Sequence, residues 1–210
     1  MTLEGDFVKL EPLTLAHADS LVSAAADGEL WNSTVTVVPA RDNVAEYIQA
    51  ALDGRALGRE LPFAIIRKEP RPQVGAVARP SGRAQTIAGR VVGTTRFYDI
   101  STFDRKAAIG YTWLGKSAQR TPVNTETKLL LLTQAFEQWR CVRVELITDV
   151  LNVQSRAAIL RLGAKEEGIL RKHLILPSGR ARDSVVFSII DSEWSQVKER
   201  LAAKLAQYGK

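Results

Sequence analysis

The chain has 210 residues, 45% hydrophobic and 25% charged, which is enough for one sizeable core, too little for two large domains, and not the composition of a disordered chain. Its formal net charge of +6 comes from 29 basic and 23 acidic residues and suits a phosphate-bearing partner. The basic residues are scattered, however, and no zinc-finger, basic-zipper or aromatic RNA-binding signature accompanies them, so a nucleic-acid partner is not favoured.

No apolar run approaches the roughly 18 residues of a membrane span, and "MTLEGDFVKLEP" lacks the basic start and apolar stretch of a secretory signal. The single cysteine, Cys141, excludes an internal disulfide, and with two distant histidines it gives no metal-ligand spacing. A cytoplasmic chain of one domain, residues 1–210, without a metal is expected.

In chain order, "FVKLEPL" reads as a short strand, and Thr14 as the cap of a helix over 15–26. "LWNSTVTVVPA" is irregular. A second helix begins near Asp42, with Val44, Tyr47, Ile48 and Ala51 on one face and Gly54 as its stop. "LPFAIIRK" and "GRVVGTTRFYDI" are strands, joined by a Pro-, Gly- and Arg-rich connection over 69–88.

"AAIGYTWL" is the next strand. After it comes "SAQRTPVNTETKLLLLTQAF", a loop running into a strongly periodic helix with Leu129, Leu132, Phe136 and Trp139 on one stripe. A helix from Asn124 to Arg140 would be about 25 Å long. "CVRVELIT" alternates as a strand does, with Val142, Val144 and Leu146 against Arg143, Glu145 and Ile147. "NVQSRAAILRLG" is a short helix, capped by Asn152 and stopped by Gly163. A hairpin turning at "PSGR" and an amphipathic helix with Trp194, Val197, Leu201 and Leu205 complete the chain. That helix has two possible partners, its own core or a second copy of the chain, which leaves homodimerisation open. The order of elements gives one α+β domain around a mixed, mostly antiparallel sheet flanked by helices.

A loop entering a helix is an anion site by construction, because first-turn amides lack partners and the helix dipole is positive there. With a helix start near Asn124, the unpaired amides are those of Asn124, Thr125, Glu126 and Thr127. Arg120, Thr121 and Thr125 can add side-chain donors. No glycine lies in the loop; Pro122 instead presets the backbone. Glu126, read as a first-turn carboxylate, equally suits a helix with no ligand.

The segments "IGYTWL", "AQRTPVNTETKLLLLTQAFE", "VRVELITDVLNVQSRAAILRLGAKEEG" and "LRKHLILPSGRARDSVVFSII" carry, in order and spacing, a resemblance to the GNAT superfamily of acyl-CoA-dependent N-acyltransferases. Within it they are closest to the branch related to ribosomal-protein alanine acetyltransferases. "FVKLEPLTLAHADSL" is similar to that branch's opening strand and helix. The resemblance implies acetyl-CoA as co-substrate and a primary amine as acceptor. The superfamily's pyrophosphate loop, Gln/Arg-x-x-Gly-x-Gly/Ala, falls on Gln119-Arg120-Thr121-Pro122-Val123-Asn124, with both small positions replaced.

The resemblance further implies that Trp113 and Leu114, with Tyr111, line the pantetheine arm. It places Arg120, Thr121, Val123, Asn124 and Thr125 at the pyrophosphate, and Asn152 and Ser155 beside the cofactor. Many relatives have a tyrosine acid at the position of Ile159, which excludes that chemistry here. The acid role carries over instead to Ser155, where the alanine acetyltransferases have a serine.

A lysine amine is neutral in roughly one molecule in 2,500 at pH 7, a penalty of about 4.6 kcal/mol, against about 1.4 kcal/mol for an α-amine. A protein N-terminus or a small amino compound is therefore the easier acceptor. Glu126, Asp99, Asp149 and His173 are the candidate bases. Arg171, Lys172, Arg180 and Arg182 suit an acidic acceptor, though a solvated face explains them as well. The competing readings are a non-catalytic CoA-binding protein of the same fold and a nucleic-acid-binding module.

Overall fold

The computed structural model describes residues 1–69 and 89–208. From residue 70 on, the predicted 69–88 connection lies outside them. The elements are β1 (Leu3–Glu4), β2 (Val8–Pro12), α1 (Ala18–Ala26), α2 (Val44–Ala56), β3 (Leu61–Arg67), β4 (Arg90–Ser101), β5 (Lys106–Leu114), α3 (Pro122–Thr133), β6 (Arg143–Asp149), α4 (Val153–Leu162), β7 (Lys165–Ile175), β8 (Ala181–Ile190) and α5 (Asp191–Leu205). The strands form one 8-stranded sheet in the order β1-β2-β3-β4-β5-β6-β8-β7. All pairings are antiparallel except β5–β6, which α3 joins as a crossover. No helix among the described residues is long and apolar enough to cross a membrane.

Each face of the sheet has its own core. On one face, Leu21, Ala25, Val44, Ile48 and Ala51 of α1 and α2 pack over Ala64 and Trp113. On the other, Val123, Leu131 and Leu132 of α3 and Val197 and Leu201 of α5 pack against Ile109, Val144, Leu146, Val185 and Phe187. The stripe of α5 therefore packs on its own core rather than waiting for a second copy.

Three sequence expectations shift. Helix α2 runs through Gly54 to Ala56, and the left-handed turn falls on Gly58, with φ +69°. α3 starts at Pro122, not Asn124, because Thr121 is its N-cap and proline is preset for the first helical position. It also ends sooner as an α-helix, with one π turn over Gln134–Gln138. By contrast, α4 is framed as expected: Asn152 Oδ1 accepts from the Ser155 amide at 2.9 Å, and Gly163 takes the left-handed stop at φ 106°.

Two buried ionisable side chains on α3 face the sheet. Glu126 is 4% exposed and accepts the amides of Asp6 (2.8 Å), Phe7 (2.7 Å) and Val8 (2.7 Å). It is thus a clamp on the β1–β2 turn, beyond the first turn of its own helix, and neither a dipole partner nor a base. A Cβ on Gly5 would stand 2.4 Å from its carboxyl carbon. Lys128, 6% exposed, points toward β5 and donates to Thr112 Oγ1 at 2.7 Å, which shares a second hydrogen bond of 2.8 Å with Thr95 Oγ1. No carboxylate pairs with this amine among the described residues, and burial pushes its pKa down to about 7.

Glu126→Gln should lower the unfolding free energy in urea by about 2–4 kcal/mol, since buried amides then face an amide NH₂; a change below about 0.5 kcal/mol would refute the clamp. Lys128→Met should stabilise the chain, and more at pH 6 than at pH 10. A depressed folded-state pKa imposes its full penalty below about 7 and releases it as pH rises toward the free value of 10.5. Urea titrations at the two pH values read the difference; an equal effect at both would refute the assignment.

Candidate active site

The parallel pairing of β5 and β6 holds at Lys106↔Arg143, Ala107↔Val144 and Ala108↔Glu145 and then stops. Beyond it, Ile109–Leu114 stays with β4 and Leu146–Asp149 stays with β8. The result is a wedge-shaped opening at the carboxyl ends of two parallel strands, the usual ligand position in sheets of this kind.

A β-bulge helps to turn β5 away. Thr94 pairs with Trp113 and Arg96 with Gly110, so Thr95 alone faces Tyr111 and Thr112. Tyr111 has φ 50°. Its ring lies 3.9 Å from the Arg96 guanidinium, which is itself held by Glu60 at 2.6 Å. Lys128 supports the bulge from the opposite face through Thr112.

Backbone alternation decides which groups face the opening. The Gly115 amide donates to Val92 O at 2.8 Å. Thr94 and Trp113 are therefore the next hydrogen-bonded pair, and the main chain of Leu114 turns the other way, into the wedge. This corrects the expectation for Trp113. Its main chain belongs to the β4 ladder, and its indole is buried under α1 and α2, donating to the Tyr47 hydroxyl at 3.2 Å.

The loop from Gly115 to Thr121 rims the mouth. Asp27 holds its start, accepting from the Ser117 amide (2.9 Å) and hydroxyl (2.5 Å), and these bonds lower the Asp27 pKa. Arg120 is exposed and takes a left-handed conformation, φ 59°, which glycine would adopt without strain. Thr121 Oγ1 donates to Ala118 O at 2.7 Å and faces the Val123 amide at 3.4 Å.

With the helix starting at Pro122, the first-turn donors are Thr121, Val123 and Asn124, since proline has no N–H. The amides of Thr125, Glu126 and Thr127 lie inside the helix ladder, and the side chains of Thr125 and Val123 are buried. Thr125 is thereby corrected from a cofactor contact to a packing residue, and Val123 retains only its amide.

Gln119 ties the mouth together. Its Nε2 donates to Leu114 O at 2.9 Å, and its Oε1 accepts from Gln154 Nε2 at 3.0 Å. This brings the loop to the first turn of α4, where Asn152 and Ser155 sit. The Ser155 hydroxyl is half-buried and has no partner among the described residues. Ile159 is buried in the core. Gln119 was visible in the sequence only as the first position of the loop pattern; nothing there signalled its pairing with Gln154.

The carboxylates proposed as bases are occupied or remote. Asp149 is fully buried, accepts the Leu151 amide at 2.9 Å and pairs with Arg180. Asp99 lies between Tyr98, which pairs with Ala108, and Ser101, which pairs with Lys106, at the closed end of the wedge. His173 sits on a bulge of β7 with Nδ1 3.0 Å from Ser184 Oγ, two strands from the opening. Among the described residues, no group of three or more His, Cys, Asp or Glu is placed to hold a metal.

Comparison with known proteins agrees with this architecture. The family described as "Acetyltransferase (GNAT) domain" matches residues 8–165. A Bacillus subtilis (strain 168) protein, YdaF, provisionally named a ribosomal N-acetyltransferase, is 34% identical over 110 residues, which span 52% of this chain and 59% of that relative. A solved structure from T. thermophilus, provisionally described as an acetyltransferase, has TM-score 0.78 at 31% identity over 97% of this chain and 96% of its own. Mycobacterium smegmatis RimJ, solved with CoA-disulfide, shares the fold with TM-score 0.72 at 21% identity, over 97% of this chain and 93% of its own. A family match over 8–165, a relative 31% identical across nearly the whole chain, and a parallel strand pair that opens beside a helix start together show that this chain belongs to the GNAT acetyltransferase family.

Proposed function

We propose that this chain moves an acetyl group, or another acyl group, from acyl-CoA to a primary amine by direct attack. The observation that carries the reading is the opening between β5 and β6 after Ala108 and Glu145, with the first-turn amides of α3 beside it. The chemistry of the donors fits the ligand. Arg120, Thr121 and the amides of Val123 and Asn124 suit a diphosphate. The inward main chain of Leu114 and the side chain of Asn152 suit the amide-bearing arm. The CoA-disulfide bound by RimJ and the name of YdaF support the same assignment.

In the reaction, a neutral amine attacks the thioester carbonyl. A C–N bond forms, the C–S bond breaks, and the sulfur leaves as thiolate. With a thiol pKa near 8.5, a weak acid is enough to protonate it; the Ser155 hydroxyl, which has no partner of its own, passes its proton to the thiolate and regains one from the ammonium formed by the attacking amine, so that the amine's surplus proton ends on the leaving thiol. Backbone donors aimed at the developing oxyanion contribute about 3–4 kcal/mol. The acceptor is best read as a protein N-terminus or small amino compound, because an α-amine reaches its neutral form without a strong base. A cytoplasmic location follows from this reading.

A non-catalytic CoA-binding protein is the second reading, favoured by the engagement of Asp149 and Glu126 in structural bonds.

Thiol release from acetyl-CoA in the presence of peptides and small amines tests turnover. Ser155→Ala should lower kcat by about 10²-fold while leaving KM for acetyl-CoA within about twofold. A variant as active as the parent would remove Ser155 from the chemistry. Calorimetric binding of CoA without turnover on any amine would support the non-catalytic reading, and no heat with millimolar CoA would defeat both.

A further inference from the structure

Helices α1 and α2 cover their face of the sheet only over β3–β5; their core contains no residue of β6, β7 or β8. On that same face, Ile147 lies beside Val186 and Asp149 beside Ser184. Strand alternation then places Arg182 next along β8. On this face Asp149 and Ser184 are buried, whereas Ile147, Val186 and Arg182 are partly exposed; it lies away from α3, at the carboxyl end of β6 where the pairing with β5 has stopped.

Two arginines meet here around one acid. Arg180 is committed: its Nη2 pairs with Asp149 and donates to Thr34 O at 3.0 Å. Arg182 makes no ion pair and no side-chain hydrogen bond among the described residues, and its Nε is buried with no acceptor. Burial lowers its pKa, and the neighbouring Asp149 carboxylate partly offsets this. A partly desolvated guanidinium whose nearest acid, Asp149, is already paired with Arg180 is short of negative charge, which an incoming carboxylate supplies.

We infer that Arg182 recognises a carboxylate on the acceptor, so that the preferred substrate presents its primary amine within a few bonds of an acidic group, as a peptide with Asp or Glu at its first or second position does. This rests on the acyltransferase reading. Bonds to Arg182 hold the acceptor by its acid while the amine turns into the wedge. An amino acid such as aspartate carries the same chemistry.

The test uses the full chain and N-terminally free peptides with Asp or Glu at position one or two, matched Asn and Gln peptides, and free aspartate. The expected kcat/KM is at least tenfold higher for acidic peptides than for their amide counterparts, and free aspartate reports whether a peptide is needed. Arg182→Gln should bring that ratio to about one while CoA still binds with its normal heat, and Arg182→Lys should restore part of it. A parent protein indifferent to the acid, or a preference that survives in Arg182→Gln, would overturn the inference. Calorimetry of the acidic and amide peptides on the CoA-saturated protein gives the same ratio without turnover, so it decides the role of Arg182 even if the acyltransferase reading fails.

Discussion

Three rungs of parallel ladder between β5 and β6 are the constraint on which the site depends. More rungs would close the sheet and leave no space between the strands; fewer would leave β5 and β6 unconnected except through α3. The limit is set from both sides. β6 is paired along its length with β8. β5 is drawn toward β4 by a bulge in which Tyr111 accepts an uncommon φ, with Arg96 against its ring and Lys128 behind Thr112. The opening therefore follows from how each strand is committed to its other neighbour.

This arrangement uses most of the local charge for architecture. Glu126 commits its carboxylate to three amides of the β1–β2 turn, Asp149 to Arg180 and a backbone amide, and Glu60 to Arg96. The groups proposed above for the chemistry are weak and positional: a serine hydroxyl, first-turn amides of α3 and an arginine. Such a site can stabilise developing charge and hold reactants in line, but it has little capacity to strip a proton from a strongly basic amine.

Strands and helices were legible in the sequence because their periods of two and 3.6 residues survive wherever one face is buried. The cap and stop of α4 were equally legible, since Asn152 and Gly163 act within a few residues of themselves. What escaped notice depends on distant partners. Glu126 looks like a helix-start carboxylate until Asp6 is found against it, 120 residues away. Trp113 sits in a strand that lines the site, yet the bulge and alternation assign its main chain to β4 and leave that role to Leu114. The loop lacks glycine, yet Arg120 takes the left-handed turn and Pro122 starts the helix, a path that the residue types alone do not reveal.

The position of β8 has a consequence for how the protein is made. It is the last strand in the chain but lies between β6 and β7 in the sheet. A nascent chain that has left the ribosome only as far as β7 therefore exposes β6 as a bare edge, rich in Val144, Leu146 and Ile147, with nothing to hold it apart from β5. The outer wall of the wedge is erected only when residues 181–190 slot in, so a cleft able to admit a thioester belongs to the finished polypeptide and not to any of its N-terminal intermediates.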